Sequence, residues 1–586
     1  MQLDSDQQRA LKLMQSGANV FLTGKAGTGK SAVLGEFREW CRNSGNSCVF
    51  LAPTGVAALN IGGATVHSFL QLAPTLQSPD TIGPFRSGRA DKARVVERTR
   101  AIVIDEISMV RSDTFAAIDF RLRSLVRGEN RNKPFGGKQM IVVGDFFQLP
   151  PVVKTGDVIA LLDKVSEGDR QEFFENWIQD LLKLSDNEIS LFLPPILGIS
   201  EPSPVQVQAI REKPDLFLEK LKAFVLAPDG LDAVDRFFED LRGKAPDANF
   251  GFATAADCLF DKKFGGTYAF QAQQWTERWP DLGDNLWNKA GFKPVVLGIS
   301  HRQADDRAFG AACDAIREDN LDKPFSEGEP RNALEWLAQR ENALIPEPSM
   351  RLCPTNGQVK DINDEQFREN SDRSRKFVAK MTGMVLVKYL QKKAEGKVKE
   401  SSYPTDIELN LWPGARVMLL KNEQDGNGGY LYVNGSLGTV SEFVEHEGKT
   451  KITILLDADK IGGRRIVEVE LHKWPFYEYR LQRVGNLEQV VAVETGAFEQ
   501  FPVKLAYAVT IHKSQGLSLD SASIELGRGC FAAGQLYTAL TRVRTFSGLR
   551  LDRPIEEKDN KLDPVVRAFY KKITTDAGQS NKQISC

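Results

Sequence analysis

Short apolar runs mark the first quarter of the chain. They cover residues 19–23, 101–104 and 139–143, and each is mostly apolar at successive positions. A strand that is buried on both faces has this pattern, which predicts parallel strands in a sheet that helices cover on both sides. After the first run, apolar residues recur at helical spacing and predict a helix behind a short loop. These residues are Val33, Leu34, Phe37 and Trp40.

Two later regions have different patterns. Apolar stripes at helical spacing in 173–182 and 217–224 predict a small helical unit, and we expect these stripes to form its own core rather than a partner surface. Between 415 and 471, short alternating or apolar segments are separated by the turn dipeptides Asn434-Gly435 and Gly462-Gly463. This second pattern predicts the antiparallel strands of a small barrel.

The composition narrows the possible functions. The 586 residues are enough for about three to five domains. Lys and Arg (76) nearly balance Asp and Glu (78), which gives a net charge of −2 and excludes a broad basic coat. Binding to nucleic acid would therefore need a local groove.

Cysteine usage and the N-terminus bear on the compartment. The seven cysteines are scattered and include no CxxC pair, so we expect neither a disulfide framework nor a zinc site. No apolar run approaches the roughly 20 residues of a membrane helix, and the first residues lack signal-peptide character. We expect a cytoplasmic protein without membrane contact, in a bacterial or phage-like context, while a nuclear or mitochondrial location stays open.

The loop after the first apolar run has the chemistry of a phosphate site. It reads GxxxxGKS between a predicted strand and a predicted helix, and its glycines allow successive backbone N–H groups to converge on phosphate oxygens. Lys30 would reach the β- and γ-phosphates, and Ser31 would bind Mg²⁺. The full spacing disfavours the alternative, a glycine-rich turn with a surface lysine. The predicted nucleotide-binding residues here are Gly24, Lys25, Ala26, Gly27, Thr28, Gly29, Lys30 and Ser31.

The second and third apolar runs each lead into polar residues. Asp105 and Glu106 follow the second run, at the sheet edge where open α/β sheets bind ligands. Asp105 is suited to Mg²⁺, and Glu106 to act as the base that polarises an attacking water. Gln148, after the third run, could sense the γ-phosphate. The alternatives are a solvated acidic loop and a proline-stiffened turn.

These motifs, in this order, resemble superfamily 1 helicases of subclass B, the PIF (petite integration frequency) and RecD-like group. The resemblance covers most of the chain and includes later segments whose chemistry is not evident from spacing alone. The segments that carry it are Leu3–Gln8, Ala52–Ala58, Gly63–Phe69, Val103–Val110, Gly144–Pro151, Leu297–Gln303, Pro354–Asn356 with Val359 and Asn363, Ala508–Gly516 and Gln535–Arg544.

The resemblance implies an α/β fold of two tandem RecA-like P-loop domains. It also implies a small β-barrel insertion in the second domain. The helical segments that the apolar stripes predict form an insertion in or after the first domain, and this insertion departs from the family pattern. The predicted ranges are 1–156 for the first domain with a hairpin wedge at about 74–99, 157–265 for the helical insertion, 266–295 for a return to the first domain, 296–370 and 501–575 for the second domain, 371–500 for the barrel insertion, and 576–586 for a polar tail.

The resemblance also implies the activity. It indicates an ATP-dependent DNA helicase that moves 5′→3′ on single-stranded DNA, acts on forked duplex DNA as a monomer, uses ATP and Mg²⁺, and serves replication, repair or recombination. The implied catalytic residues are Lys30, Glu106, Gln148, Arg302 and Arg542, with Arg542 as arginine finger. Gln7 would read adenine, and Gly516 would border the nucleotide. The implied strand contacts are Pro53, Thr54, His67, Phe69, Thr355, Asn356, Thr510, His512 and Lys513.

Two other functions stay open on the sequence. One is an unwinder of RNA or of DNA–RNA hybrids with the same build. The other is a nucleotide-regulated scaffold that binds single strands without unwinding. Glu106 and Arg542 favour the enzyme, because a scaffold has no need of a catalytic base or an arginine finger.

Overall fold

The computed structural model describes residues 3–83, 90–199, 201–227, 252–275, 282–302, 306–326, 328–345, 349–394, 403–421, 423–424, 430–432, 436–446, 449–457, 465–484, 487–527 and 529–583. Its strands are β1 Val20–Gly24, β2 Cys48–Ala52, β3 Ala64–Thr65, β4 Ala101–Ile104, β5 Gln139–Val143, β6 Gln273–Trp275, β7 Leu282–Asn285, β8 Lys293–Leu297, β9 Pro324–Ser326, β10 Glu329–Asn332, β11 Met350–Cys353, β12 Arg375–Val378, β13 Lys380–Met381, β14 Glu408–Leu411, β15 Arg416–Leu419, β16 Glu423–Gln424, β17 Tyr430–Tyr432, β18 Leu437–His446, β19 Lys449–Leu456, β20 Ile466–Val469, β21 His472–Val484, β22 Leu487–Gln500, β23 Val503–Leu505, β24 Ala508–Thr510, β25 Ala522–Ile524 and β26 Leu549–Leu551.

The helices of the described residues follow the same chain order. None of them is both long enough and apolar enough to cross a membrane. They are α1 Ser5–Gln15, α2 Lys30–Ser44, α3 Gly55–Asn60, α4 Val66–Leu70, α5 Ala90–Arg98, α6 Ser112–Leu125, α7 Thr155–Leu162, α8 Glu167–Leu181, α9 Asp186–Leu197, α10 Pro204–Glu212, α11 Pro214–Val225, α12 Phe252–Phe264, α13 Leu286–Ala290, α14 Arg307–Glu318, α15 Ala333–Ala338, α16 Asn356–Asn370, α17 Gly383–Ala394, α18 Gln535–Leu540 and α19 Pro564–Gln583.

A six-stranded parallel sheet, with the strand order β3-β2-β4-β5-β1-β8, is the centre of what we call the first lobe. The predicted apolar runs are its central strands β4, β5 and β1, which are almost entirely buried. Because side chains alternate along a strand, Val20 and Leu22 pack with α1 and α2, whereas Phe21 packs on the other face against Trp287 of α13, at a ring centroid distance of 5.1 Å. Strand β8 pairs with β1, so this lobe runs to Leu297, two residues past the predicted boundary at 295.

A four-stranded parallel sheet, with the order β24-β11-β25-β26, is the centre of the second lobe. Its strands come from both of the segments that the sequence assigns to a second domain. The last helix, α19, leaves this lobe and returns to the first one, where Phe569 stacks on Phe270 with ring centroids 4.0 Å apart. The two lobes therefore share aromatic packing as well as the connecting chain.

The helical insertion packs its two apolar stripes inward. Trp177 of α8 lies against Phe252 of α12 at a centroid distance of 5.0 Å, and Leu221 of α11 is fully buried. These residues are continuous with the core of the first lobe, so the insertion is joined to that lobe by apolar packing. Residues 228–251 lie outside the described part.

The hairpin wedge predicted at about 74–99 is wrong for the described residues. They form a 3-10 turn, Pro79–Thr81, and the helix α5, while residues 84–89 lie outside the described part. Val95 and Val96 of α5 are buried, and exposed charged residues occupy the opposite face of the helix. This amphipathic pattern is typical of a surface helix rather than of a hairpin.

The β insertion contains a five-stranded antiparallel sheet, β20-β19-β18-β15-β23, with the β12–β14 pair packed on the same core. Four of its strands lie in the predicted segments. A second feature was not predicted: β21 and β22 form a long hairpin, paired in register from His472–Gln500 to Val484–Leu487 with one shift. We call β21 and β22 the long hairpin. It reaches the first lobe, where β21 lies against α5 and β3.

Candidate nucleotide and strand-binding site

The phosphate loop joins β1 to α2 at the carboxyl edge of the first sheet. Gly27 has a φ of +77°, and a Cβ at that position would lie 2.4 Å from the Cβ of Arg302, so only glycine permits this approach. Lys30 Nζ donates to the carbonyl oxygens of Gly24 and Lys25 at 2.8 and 3.0 Å. Burial lowers the pKa of Lys30, and nearby carboxylates partly offset this.

The predicted acids follow β4 directly. Glu106 has a left-handed backbone, φ 52°, which costs a non-glycine residue about 1–3 kcal/mol and is typical of functional sites. Its Oε2 accepts a hydrogen bond of 2.8 Å from Nε2 of Gln515, which belongs to the second lobe. Burial, and then the Glu106 carboxylate, raise the pKa of Asp105 to about 7. Against the effect of burial, the carboxylates of Glu106 and Asp105 also raise the pKa of Lys30. Both acids are therefore close to the lysine that would bind the phosphates of a nucleotide.

The donor set at this edge fits Mg²⁺. Ser31 is exposed at the start of α2, which follows β1, and Asp105 follows β4, which is separated from β1 by β5 at the same edge of the sheet. Among the residues that the structure describes, no three His, Cys, Asp or Glu side chains come together as a metal cage. Mg²⁺ is usually held by one or two protein oxygens together with phosphates and water, so one hydroxyl and one carboxylate suffice.

Arg302 and Arg542 meet at the junction of the lobes. Arg302 Nη1 donates to the carbonyl oxygen of Thr541 at 2.9 Å, and the neighbouring His301 N–H donates to the Gly27 carbonyl oxygen at 2.9 Å. Arg542 is 2 % exposed, and its Nε donates to the Thr538 carbonyl oxygen at 2.9 Å. Burial, and then the Arg542 charge, lower the pKa of Arg302.

Both guanidinium groups also interact electrostatically with Glu106. The predicted arginines, base and phosphate loop thus converge, as a nucleotide clamped between lobes requires.

Three other predicted nucleotide contacts have distinct positions. Gln7 is buried below the loop: its Nε2 donates to the Thr28 carbonyl oxygen at 3.1 Å, and its Oε1 accepts from the Asp4 N–H in a capping box. The Gln7 amide, to which the resemblance gives the role of reading adenine, therefore also holds the start of α1 and the phosphate loop in place. Gln148 is buried beside the second lobe, where a Cβ at Gly534 would lie 2.6 Å from its carbonyl oxygen. Gly516 is exposed in the turn after β24.

The first lobe presents the predicted strand contacts at the ends of β2 and β3. Pro53 precedes Thr54, whose hydroxyl oxygen caps α3 by accepting from the Ala57 N–H at 3.2 Å. His67 lies in α4, and burial, then the Arg111 charge, lower its pKa. Phe69 is another of the implied strand contacts, and its ring could stack on a base, but it is only 6 % exposed.

The long hairpin is the reason that Phe69 is covered. Tyr479 packs edge-on against Phe69 at a centroid distance of 5.5 Å, and its hydroxyl oxygen accepts from the Phe50 N–H at 3.0 Å. Glu478 forms an ion pair of 3.1 Å with Lys92 of α5. The contact between the long hairpin and the first lobe was not predicted, although the aromatic run from Trp474 to Tyr479 could have indicated a packed strand.

The second lobe presents its predicted contacts around β11 and β24. Thr355 is exposed and caps α16, while the side chain of Asn356 lies outside the described part. Thr510 is buried and its Oγ1 accepts from the N–H of Lys513, whose side chain is exposed. Burial lowers the pKa of His512.

Phe531 is a further aromatic residue at this surface. Its ring is 56 % exposed and lies nearly parallel to His512, at 17° and a centroid distance of 6.0 Å. Gln535 Oε1 accepts from the Phe531 N–H at 2.9 Å, and Gln535 Nε2 donates to the Pro354 carbonyl oxygen at 3.2 Å. One buried amide thus connects the Phe531 loop to the Pro354–Asn356 segment. Sequence reasoning missed Phe531 because a single phenylalanine has no spacing signal.

Comparison with known proteins extends these observations. A family model described as PIF1-like helicase matches residues 2–172. The ATP-dependent DNA helicase Pif1 of Psychrobacter sp. (strain PRwf-1) is 25% identical over 618 residues, which cover 99% of this chain and 72% of that protein. Bacteroides sp Pif1 in complex with ADP-AlF4 matches with a TM-score of 0.64 and 25% identity, over 98% of both chains. Bacteroides Pif1 bound to ssDNA matches at the same identity and coverage with a TM-score of 0.53.

The likeness extends over both parallel-sheet lobes and confirms the predicted α/β fold with two RecA-like domains. The ordered motifs and the arginines beside the phosphate loop agree with these comparisons. Residues 2–172 match the PIF1-like helicase model, and nearly the whole chain is similar to Pif1 DNA helicases.

Proposed function

We propose that this ATP-dependent DNA helicase binds ATP with Mg²⁺ between its two lobes and uses hydrolysis to translocate 5′→3′ along single-stranded DNA. The observation that carries the proposal is the convergence of Lys30 and Glu106 of the first lobe with Arg542 of the second. Residues from both sides of one cleft can respond together when the γ-phosphate is bound and when it is released.

Each residue has a role that follows from its chemistry. Lys30 would bind the β- and γ-phosphates, Glu106 would accept the proton of the attacking water, and Gln148 would orient that water. Arg302 and Arg542 would neutralise charge that develops on the transferred phosphoryl group. Mg²⁺, held by Ser31 and Asp105, would supply further positive charge at the phosphate oxygens.

The present hydrogen bonds indicate how nucleotide binding couples to closure. Lys30 and Arg542 both donate to neutral backbone carbonyl oxygens of their own lobes. Phosphate oxygens are stronger acceptors for these cations, because charge-assisted hydrogen bonds are roughly twice as strong as neutral ones. Exchange of carbonyl for phosphate partners would therefore draw the two lobes onto the nucleotide.

The strand contacts suit a translocase. Thr54 of the first lobe and Thr355 of the second carry hydroxyl groups, and burial favours the neutral form of His67 and His512. Such groups bind phosphates and sugars without reading sequence. When closure changes the distance between the two sets, the strand held by one set would advance relative to the other.

The test is an unwinding assay on matched forks. We expect ATP-dependent unwinding of a DNA fork with a 5′ single-stranded arm, and none with a 3′ arm alone or with a non-hydrolysable ATP analogue. Lys30→Ala should abolish both unwinding and DNA-stimulated hydrolysis. Unwinding only from a 3′ arm would contradict the polarity, and preferred unwinding of an RNA or hybrid fork would contradict the substrate. Strand binding with ATP but no unwinding of any fork would favour the scaffold.

A further inference from the structure

The carboxylate of Asp145 is buried where the two lobes and the last helix meet. Asp145 follows β5 and is 1 % exposed. Arg317 of α14, in the second lobe, donates to it through Nη2 at 3.0 Å and Nε at 3.4 Å. The hydroxyl of Tyr570 donates to Oδ1 at 3.2 Å, and that of Tyr537 to Oδ2 at 3.4 Å. A buried charge is costly unless it is paired and hydrogen-bonded, and here one carboxylate receives both.

The two tyrosines connect this carboxylate to the phosphate loop. The Ala26 N–H, within the loop, donates to the Tyr537 hydroxyl oxygen at 3.2 Å. The Thr23 hydroxyl, directly before the loop, lies 2.6 Å from the Tyr570 hydroxyl. The Arg317 guanidinium lies 4.1 Å from the centroid of the Phe147 ring. The cluster therefore supports the loop from behind with groups of both lobes.

The Asp145 carboxylate is also within electrostatic reach of the Lys30 ammonium. Among the carboxylates near Lys30, Asp145 contributes most to raising the pKa of that lysine, ahead of Glu106 and Asp105. Arg317 already pairs with Asp145, and the Lys30 ammonium donates to loop carbonyl oxygens instead. Without Arg317, the buried Asp145 carboxylate would keep its hydroxyl donors but would lose its paired cation. It would then attract the Lys30 ammonium more strongly, because opposite charges attract strongly in buried surroundings.

We propose that Arg317 is a positioning residue of the ATP site: its guanidinium binds the Asp145 carboxylate and so leaves Lys30 free for the phosphates of ATP. The inference rests on the proposed function, because it assumes that ATP is bound by Lys30. The competing explanation is that Arg317 is only a brace between the lobes.

Neutral variants of the full chain separate these explanations. The variants are Arg317→Met, Asp145→Asn and the double variant, studied by titration with fluorescent mant-ATP and Mg²⁺ and by steady-state hydrolysis with single-stranded DNA. We expect Arg317→Met to weaken mant-ATP binding and to raise the KM for ATP by about tenfold or more, because one partner of a buried pair is removed. The double variant should recover the affinity to within about threefold of the wild type, because no carboxylate is left to compete.

A matched control comes from the second lobe. Arg553 forms a two-pronged ion pair with the buried Asp559 at 2.7 and 2.8 Å, and the charges that dominate the pKa of Lys30 are those of Asp145, Glu106, Asp105 and Arg317 instead. Arg553→Met should lower the melting temperature without a change in mant-ATP affinity. Melting curves of all variants show whether each one folds, and Arg317→Lys, which keeps the charge, should bind mant-ATP more tightly than Arg317→Met.

Each outcome decides between the explanations. If the double variant binds mant-ATP no better than Arg317→Met, Arg317 is a brace and the inference fails. The same holds if Arg317→Met binds mant-ATP as the wild type does. If the wild type itself does not bind mant-ATP, or if Lys30→Ala binds it equally well, the proposed ATP site is wrong and the fault lies there rather than with Arg317.

Discussion

The side chain of Glu106 links the two lobes. Its left-handed backbone turns the side chain at the end of β4, and its carboxylate accepts from Gln515 across the junction. A base that loses this partner keeps its chemistry but loses its orientation, and proton transfer depends on orientation. Gln515 is therefore expected to act on turnover rather than on nucleotide affinity.

The corresponding variant is Gln515→Ala. We expect the kcat of DNA-stimulated ATP hydrolysis to fall by about tenfold, in line with the loss of one hydrogen bond to a charged group, while the KM for ATP changes little. Gln366→Ala is the control, because the hydrogen bond that the Gln366 amide donates to Glu369 is exposed on the surface of α16. A tenfold rise in KM at constant kcat would show instead that Gln515 helps to bind ATP.

The exposed ring of Phe531 leads to a second prediction, which concerns DNA binding. An exposed ring beside His512 can stack on a base, and such stacking is worth about 1–3 kcal/mol per base. Phe531→Ala should weaken oligo-dT binding accordingly, and Phe531→Trp should retain it. The salt dependence of binding should stay unchanged, since no charge is removed. Leu344→Ala, at another exposed apolar position, is the control in fluorescence anisotropy. Equal affinities for Phe531→Ala and wild type would remove Phe531 from the strand path.

The strands around the phosphate loop were predicted from the sequence, whereas the long hairpin and its contacts were not. The phosphate loop and the strands β1, β4 and β5 depend on spacing within a few residues, and their positions were predicted. Contacts such as Tyr479 with Phe50 join residues more than 400 positions apart and depend on the shapes of two folded surfaces. For the same reason, the burial of Phe69 could not be predicted, although Phe69 itself was identified.

The hairpin contact leads to a prediction about strand access. A base that stacks on Phe69 must first displace Tyr479, and an edge-on aromatic pair is worth about 0.5–1.5 kcal/mol beyond its buried area. We therefore expect Tyr479→Ala to bind oligo-dT about two- to tenfold more tightly than the wild type. Tyr479→Phe keeps the ring contact, loses only the bond to the Phe50 N–H, and should show a smaller effect. Weaker binding by Tyr479→Ala would mean that the hairpin itself contacts the strand.

At the scale of the whole molecule, the lobes approach each other at several points around one cleft. Gly27 accommodates Arg302, Gly534 accommodates Gln148, and Arg317 reaches Asp145. The close approach at each glycine leaves no room for a side chain, so these contacts have little tolerance for displacement. We therefore expect a change at the nucleotide to be transmitted to the predicted strand-binding residues of both lobes.

Steady-state ATP hydrolysis by Arg542→Ala with saturating single-stranded DNA tests most directly whether the nucleotide is clamped between the two lobes. An arginine that acts across the cleft on the transition state should lower kcat by about 10³-fold or more and leave the KM for ATP within a few-fold of wild type. A kcat that stays near the wild-type value, or a loss of affinity as large as the loss of turnover, would contradict a nucleotide clamped between the two lobes.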